Sequence, residues 1–164
     1  MIIRKATTED SFAVQQIAYT TWHHTYKDMI PLDIQNQFLS EAYSDKAMNY
    51  RVKRIIVAEV NETVIGFTDF SIGEDGRKAM LLSLYILPDF QGNGAGTALF
   101  EHGISELKDV VRLDVDVEKE NEPALEFYKG KGFELEEEIT ELFYGHKVHT
   151  VKLSLDLTQK RSGH

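Results

Sequence analysis

Val111, Leu113, Val115 and Val117 alternate without a break with Arg112, Asp114, Asp116 and Glu118. A period of two marks a strand with one dry face and one wet face. On both sides the apolar spacing turns helical. Leu99, Phe100, Gly103, Ile104 and Leu107 precede the strand, and a segment opening at Asn121-Glu122-Pro123 follows it, closed by Gly130 and Gly132. Pro123 sits near the first helical position, where its missing N–H does no harm. A strand between two helices commits the chain to a layered α/β arrangement.

The remaining elements extend that pattern. Ile2 to Ala6 reads as a strand, and Thr7 as the cap of a helix with Glu9 and Asp10 in its first turn and an apolar face at Val14, Ile17, Ala18, Thr21 and Trp22. Pro31 breaks the chain before a second helix marked by Ile34, Phe38 and Ala42. Ile55–Val60 and Thr63–Ile72 read as strands joined at Asn61-Glu62, and Gly73 to Gly76 as a turn. The apolar run Leu81–Leu87 predicts a strand covered on both faces. Phe133–Phe143 and Lys147–Leu157 supply the last two strands. The order βααβββαβαββ describes a mixed sheet of about seven strands flanked by helices. We expect one domain over residues 1–157 and a polar, disordered tail over 158–164.

Composition removes several classes of function. There is no cysteine, hence no disulfide, thiolate metal site or cysteine nucleophile, and no metal site is expected. The net charge of −9 disfavours nucleic acid, and reads either as attraction for a cationic partner or as solubility alone. The start of the chain does not read as a signal peptide, and no apolar run approaches membrane-spanning length, so a cytoplasmic protein is expected.

The chemistry concentrates after Leu87, at Gln91-Gly92-Asn93-Gly94-Ala95-Gly96-Thr97. A glycine-rich turn from a strand into a helix exposes backbone amides that can hold a phosphate. A dinucleotide fingerprint fails here, because the sixth position is Thr97 counted from Gly92 and Leu99 counted from Gly94. A Walker loop fails too, since no lysine occurs between Lys78 and Lys108. What remains is Gln-x-x-Gly-x-Gly, and with its flanking strand and helix it resembles the core motif of the GNAT superfamily of N-acetyltransferases. A second stretch, Asn121 to Phe133, matches every position of that superfamily's Asn-x-x-Ala-x-x-Phe-Tyr-x-x-x-Gly-Phe pattern.

The resemblance implies a fold, a co-substrate and roles. Acetyl-CoA would lie with its diphosphate on Gln91 to Thr97 and its pantetheine along Tyr85 and Ile86, in a gap between the strands Leu81–Leu87 and Val111–Val117. Asn121 would help hold the pantetheine arm, and Tyr128 would be the general acid that protonates the departing thiolate. A phenol, with an ordinary pKa of about 10, is protonated at neutral pH and suits that role. Many relatives carry a glutamate base on the strand before the loop, but Met80 stands there.

Trp22-His23-His24-Thr25-Tyr26, with the run through Ile30-Pro31, resembles the front end of the bacterial polyamine and small-amine branch. Trp22, His23 and Tyr26 are therefore the acceptor-side candidates. His23, His24, Asp69, Tyr144 and His149 are candidates for the absent base. The acidic run Glu134, Glu136, Glu137, Glu138 and Glu141 reads either as a solvated strand face or as a greeting for a polyamine. A protein amine as acceptor, a non-catalytic acyl-CoA sensor and a homodimer all stay open.

Overall fold

The computed structural model describes residues 1–158, so the expected tail over 158–164 lies almost wholly outside the described residues. The elements run β1 (Ile2–Lys5), α1 (Ser11–Tyr26), α2 (Leu32–Ala42), α3 (Asp45–Arg51), β2 (Ile56–Val60), β3 (Thr63–Ile72), β4 (Lys78–Ile86), α4 (Ala95–Ser105), β5 (Arg112–Glu118), α5 (Glu122–Gly130), β6 (Glu134–Phe143) and β7 (His146–Asp156). The seven strands are ordered β1-β2-β3-β4-β5-β7-β6. Among the described residues no helix is long and apolar enough to cross a membrane.

Three helices, not two, separate β1 from β2. The added one, α3, is capped by the Ser44 hydroxyl, which accepts the Ala47 N–H at 3.0 Å. With seven residues and Met48 as its buried residue, it is too short to show a helical period. Thr7, read as a helix cap, is the N-cap of a 3-10 turn with Glu9 and Asp10 in it, and α1 proper follows from Ser11. The Asp10 carboxylate accepts the Thr7 N–H at 2.7 Å and turns Thr8–Asp10 into a short 3-10 turn. The strand expected to be covered on both faces is so covered only toward its end, where Ile86 is buried in a core cluster with Ala95 and Leu99 and Leu84 packs against it. Ala79, Leu81 and Ser83 are buried, whereas Leu82 on the opposite face is 45% exposed.

Two compact units arise, residues 1–70 with 82–108 and residues 71–81 with the chain from Asp109 onward. In the first unit, β1 and β2 pair antiparallel from Ile2↔Glu59 to Lys5↔Ile56. Between β2 and β3 the register shifts, with Ala58 opposite Gly66 and Glu59 opposite Val64. Ile65 is thus the extra residue of a β-bulge. Ile56, Ala58, Ile65, Ile86, Ala95 and Leu99 form one core cluster. Helix α1 buries the five residues its spacing indicated, Val14, Ile17, Ala18, Thr21 and Trp22.

In the second unit, the first residues of β4 run parallel to β5, with Lys78↔Arg112, Ala79↔Leu113 and Met80↔Asp114. β5 pairs antiparallel with β7 and β7 with β6. Leu113, Val115 and Val117 are buried as the alternation demands, and Val151, Leu153 and Leu155 of β7 are buried with them. Glu134, Glu136, Glu137, Glu138 and Glu141 are all exposed on β6, which favours the solvated-face reading of the acidic run.

Candidate active site

The glycine-rich turn leaves β4 along a defined path. The Leu87 N–H donates to the Ile65 carbonyl at 2.9 Å, and Pro88–Phe90 forms a 3-10 turn with proline in its first turn. The Gln91 side-chain amide then donates to the Ile86 carbonyl at 3.0 Å, tying the loop back to the strand it left. Gly92 and Gly94 have φ of 83° and 90°, a left-handed conformation that side chains resist. A Cβ at either would meet nothing within 4 Å. Glycine is required there by backbone conformation, and both residues face open space.

Gly94 is the N-cap of α4 and has no side chain with which to cap it. The first-turn amides at Ala95, Gly96 and Thr97 point toward the helix N-terminus, where the helix dipole favours an anion. No lysine or arginine lies between Lys78 and Lys108, so attraction from this segment comes from amides and dipole rather than cationic side chains.

On the α1–α2 side of the same unit, Trp22 is only 8% exposed and packs on Tyr26 and Phe38, with centroid separations of 4.5 and 4.6 Å. An indole so enclosed offers little face to a cation. Its Nε1–H donates to the Tyr85 hydroxyl at 2.9 Å. The Tyr85 ring meets Phe67 edge-on at 5.5 Å. His23 pairs through Nε2 with the Asn36 side-chain oxygen at 2.9 Å, while His24 is exposed. Tyr26 is half-buried.

Asp69 is fully committed elsewhere. At 0% exposure, it accepts from Arg51 Nε at 2.9 Å and from Arg54 Nε and Nη2 at 2.7 and 3.0 Å. A carboxylate held by two guanidiniums is a structural anion rather than a free base. Arg51 also donates to the Ser83 and Tyr43 hydroxyls at 3.0 and 3.2 Å, and those hydroxyls lie 2.7 Å apart. Burial, reinforced by nearby Tyr85, pushes the Tyr43 phenol well up. Sequence reasoning missed Tyr43, Ser83 and Arg51. The usable signal was an aspartate inside the apolar strand segment Phe67–Phe70, which demands a buried cation.

In the second unit, Asn121 caps α5, its side-chain oxygen accepting the Ala124 N–H at 3.4 Å. Tyr128 is 7% exposed, between Phe127 and Phe133 with both centroids at 5.3 Å. Ala124 and Phe127, on the same helix, are half-buried. Met80, at the position of the absent glutamate, has Asp114 as its register partner, and Arg112 Nε donates to that carboxylate at 2.8 Å. His149 pairs with the Thr140 hydroxyl at 3.0 Å, and Tyr144 occupies the β6–β7 turn with φ of 51°. Among the described residues no three His, Asp or Glu side chains group as a metal site.

Residues 16–133 match the sequence pattern of the Acetyltransferase (GNAT) family. YuaI, an uncharacterized N-acetyltransferase of Bacillus subtilis, is 30% identical over 105 residues, covering 62% of this chain and 61% of YuaI. The chain therefore aligns with less than two thirds of that relative's length. A spermidine N(1)-acetyltransferase of Thermoplasma acidophilum is 27% identical over 145 residues, 82% of this chain and 89% of the relative. The crystal structure of PaiA N-acetyltransferase from Thermoplasma acidophilum in complex with coenzyme A superposes with a TM-score of 0.81 at 22% identity, covering 94% of this chain and 98% of that one. The pattern takes in both the glycine-rich loop and the Asn121–Phe133 motif, and the chain belongs to the Acetyltransferase (GNAT) family.

Proposed function

We propose that the protein transfers the acetyl group of acetyl-CoA to a primary amine of a small cationic molecule such as a polyamine. The loop of left-handed Gly92 and Gly94 opening onto the N-terminus of α4 carries this reading. It is a cradle suited to a diphosphate, bounded by the Gln91 tie to Ile86. The small-amine acceptor is supported by the spermidine acetyltransferase relative, by the net charge of −9 and by the Trp22–Tyr26 segment.

Direct transfer needs a neutral amine, a polarised thioester carbonyl and a proton for the leaving thiolate. Tyr128 supplies that proton in this reading, and Asn121 lends its side chain to the pantetheine. With Met80 in place of a carboxylate and Asp69 locked by Arg51 and Arg54, proton loss from the amine runs through water. The same two observations favour a second reading, an acyl-CoA binder without turnover. A thiol-release assay with acetyl-CoA and polyamines, aminoglycosides, amino acids and peptides separates them. Release that depends on a small amine supports the enzyme. Saturable acetyl-CoA binding with no acceptor-dependent release supports the binder.

A further inference from the structure

We propose that the Tyr85 side chain is a substrate-contacting residue whose hydroxyl oxygen accepts a hydrogen bond from the attacking amine, and that Trp22 is its positioning residue. This proposal rests on the small-amine reading above. The argument begins with the direction of one hydrogen bond. An indole N–H can only donate, so at 2.9 Å from Trp22 Nε1 the Tyr85 oxygen must accept. A phenol has one donor hydrogen and room for a second incoming bond, and neither is used by Trp22. Among the described residues no acceptor takes the Tyr85 hydrogen.

The phenol is also held rigidly. Its ring is fixed edge-on by Phe67 at 5.5 Å, and its oxygen is fixed by an indole that is itself packed against Tyr26 and Phe38. Tyr43 and Ser83, on the same side of β4, satisfy each other and Arg51. Of the hydroxyls in this cluster, Tyr85 is the half-buried one with unspent capacity. It also lies next to Ile86, whose carbonyl anchors the phosphate loop through Gln91. A fixed oxygen of this kind aligns an amine by accepting one of its N–H bonds, leaving the nitrogen lone pair for the thioester. That hydrogen bond strengthens as the nitrogen becomes positive during attack, so it favours the transition state over the ground state.

Trp22 is the chain's only tryptophan, so a single indole N–H resonance reports on the pair. The experiment takes the amine turned over fastest in the thiol-release assay and compares the parent, Tyr85→Phe, Trp22→Phe and the double variant. In Tyr85→Phe, kcat/KM for the amine is expected to fall about 10- to 100-fold, with acetyl-CoA affinity held within about twofold. Trp22→Phe should lose less, and should add nothing in the Tyr85→Phe background. In the parent bound to CoA, adding the amine should shift the indole N–H resonance, and Tyr85→Phe should abolish that shift. Unchanged kcat/KM in Tyr85→Phe, or fully additive losses in the double variant, overturns the proposal alone. A parent that acetylates no amine overturns the small-amine reading and this proposal together.

Discussion

Gly66 on β3 stands so close to Tyr85 on β4 that a Cβ placed on it would lie 2.9 Å from the Tyr85 carbonyl oxygen and 2.5 Å from Ile86 Cδ1. The contact with the Tyr85 carbonyl is to backbone, so even a new Ile86 rotamer cannot relieve it. Gly66→Ala therefore has to displace the strand that leads into the glycine-rich loop. Overpacking of this kind costs about 1–3 kcal/mol. We expect a lower thermal midpoint by calorimetry and weaker CoA binding in the same variant. Wild-type affinity would show that the loop tolerates a shift of Tyr85 and Ile86.

Gly94→Ala addresses the loop without touching the core, because a Cβ there meets nothing. Holding alanine at φ of 90° costs about 1–2 kcal/mol. Titration calorimetry should show CoA affinity reduced about tenfold, the equivalent of that strain if binding requires the native turn.

Tyr128→Phe keeps the aromatic packing with Phe127 and Phe133 and removes only the hydroxyl. If the phenol protonates the thiolate, turnover falls about 100-fold or more. Acetyl-CoA affinity should stay near the parent value. Equal turnover in the two proteins removes Tyr128 from the mechanism.

Asp69→Asn leaves Arg51 and Arg54 without their shared counter-ion. Losing one partner of a buried ion pair costs about 3–5 kcal/mol, and the lower end applies here because Arg54 keeps part of its hydration. Urea denaturation should show a reduced midpoint with little change in slope. An unaltered midpoint would mean that the network contributes nothing net.

The Arg4 guanidinium holds the Asp10 carboxyl below its ordinary value of 3.8, helped by the Thr7 N–H. A carboxyl depressed in the folded state contributes stability above its unfolded pKa and loses it as pH falls through the folded one. Asp10→Asn should therefore lower stability at neutral pH and flatten the acid limb below about pH 4. Parallel acid-unfolding curves for the two proteins would contradict this.

The parts of the protein legible along the chain are those with a local cause. Val111 to Glu118 alternates because one strand face is buried, and Val14 to Trp22 repeats because one helix face is buried. The glycine-rich loop shows itself because left-handed backbone at Gly92 and Gly94 calls for glycine wherever it occurs. The third helix stayed hidden because seven residues with one cap hardly exceed a turn's worth of pattern. The expected two-sided burial of Leu81–Leu87 holds at Ile86 and fails at Leu82, because hydrophobicity does not record how far along a strand each cover extends.

Tertiary structure alone decided which polar groups meet. Nothing near Asp69 in the sequence names Arg51 and Arg54 as its partners, and nothing near Tyr85 names Trp22. Such pairs form between residues far apart in the chain, where burial strips away water and leaves each donor to find an acceptor within about 3 Å. Local sequence thus determined the elements and the glycine-rich turn. Packing of α1, α2 and α3 on the sheet turned Asp69 from a candidate base into a counter-ion, and set Trp22, an acceptor-side candidate, against the Tyr85 phenol.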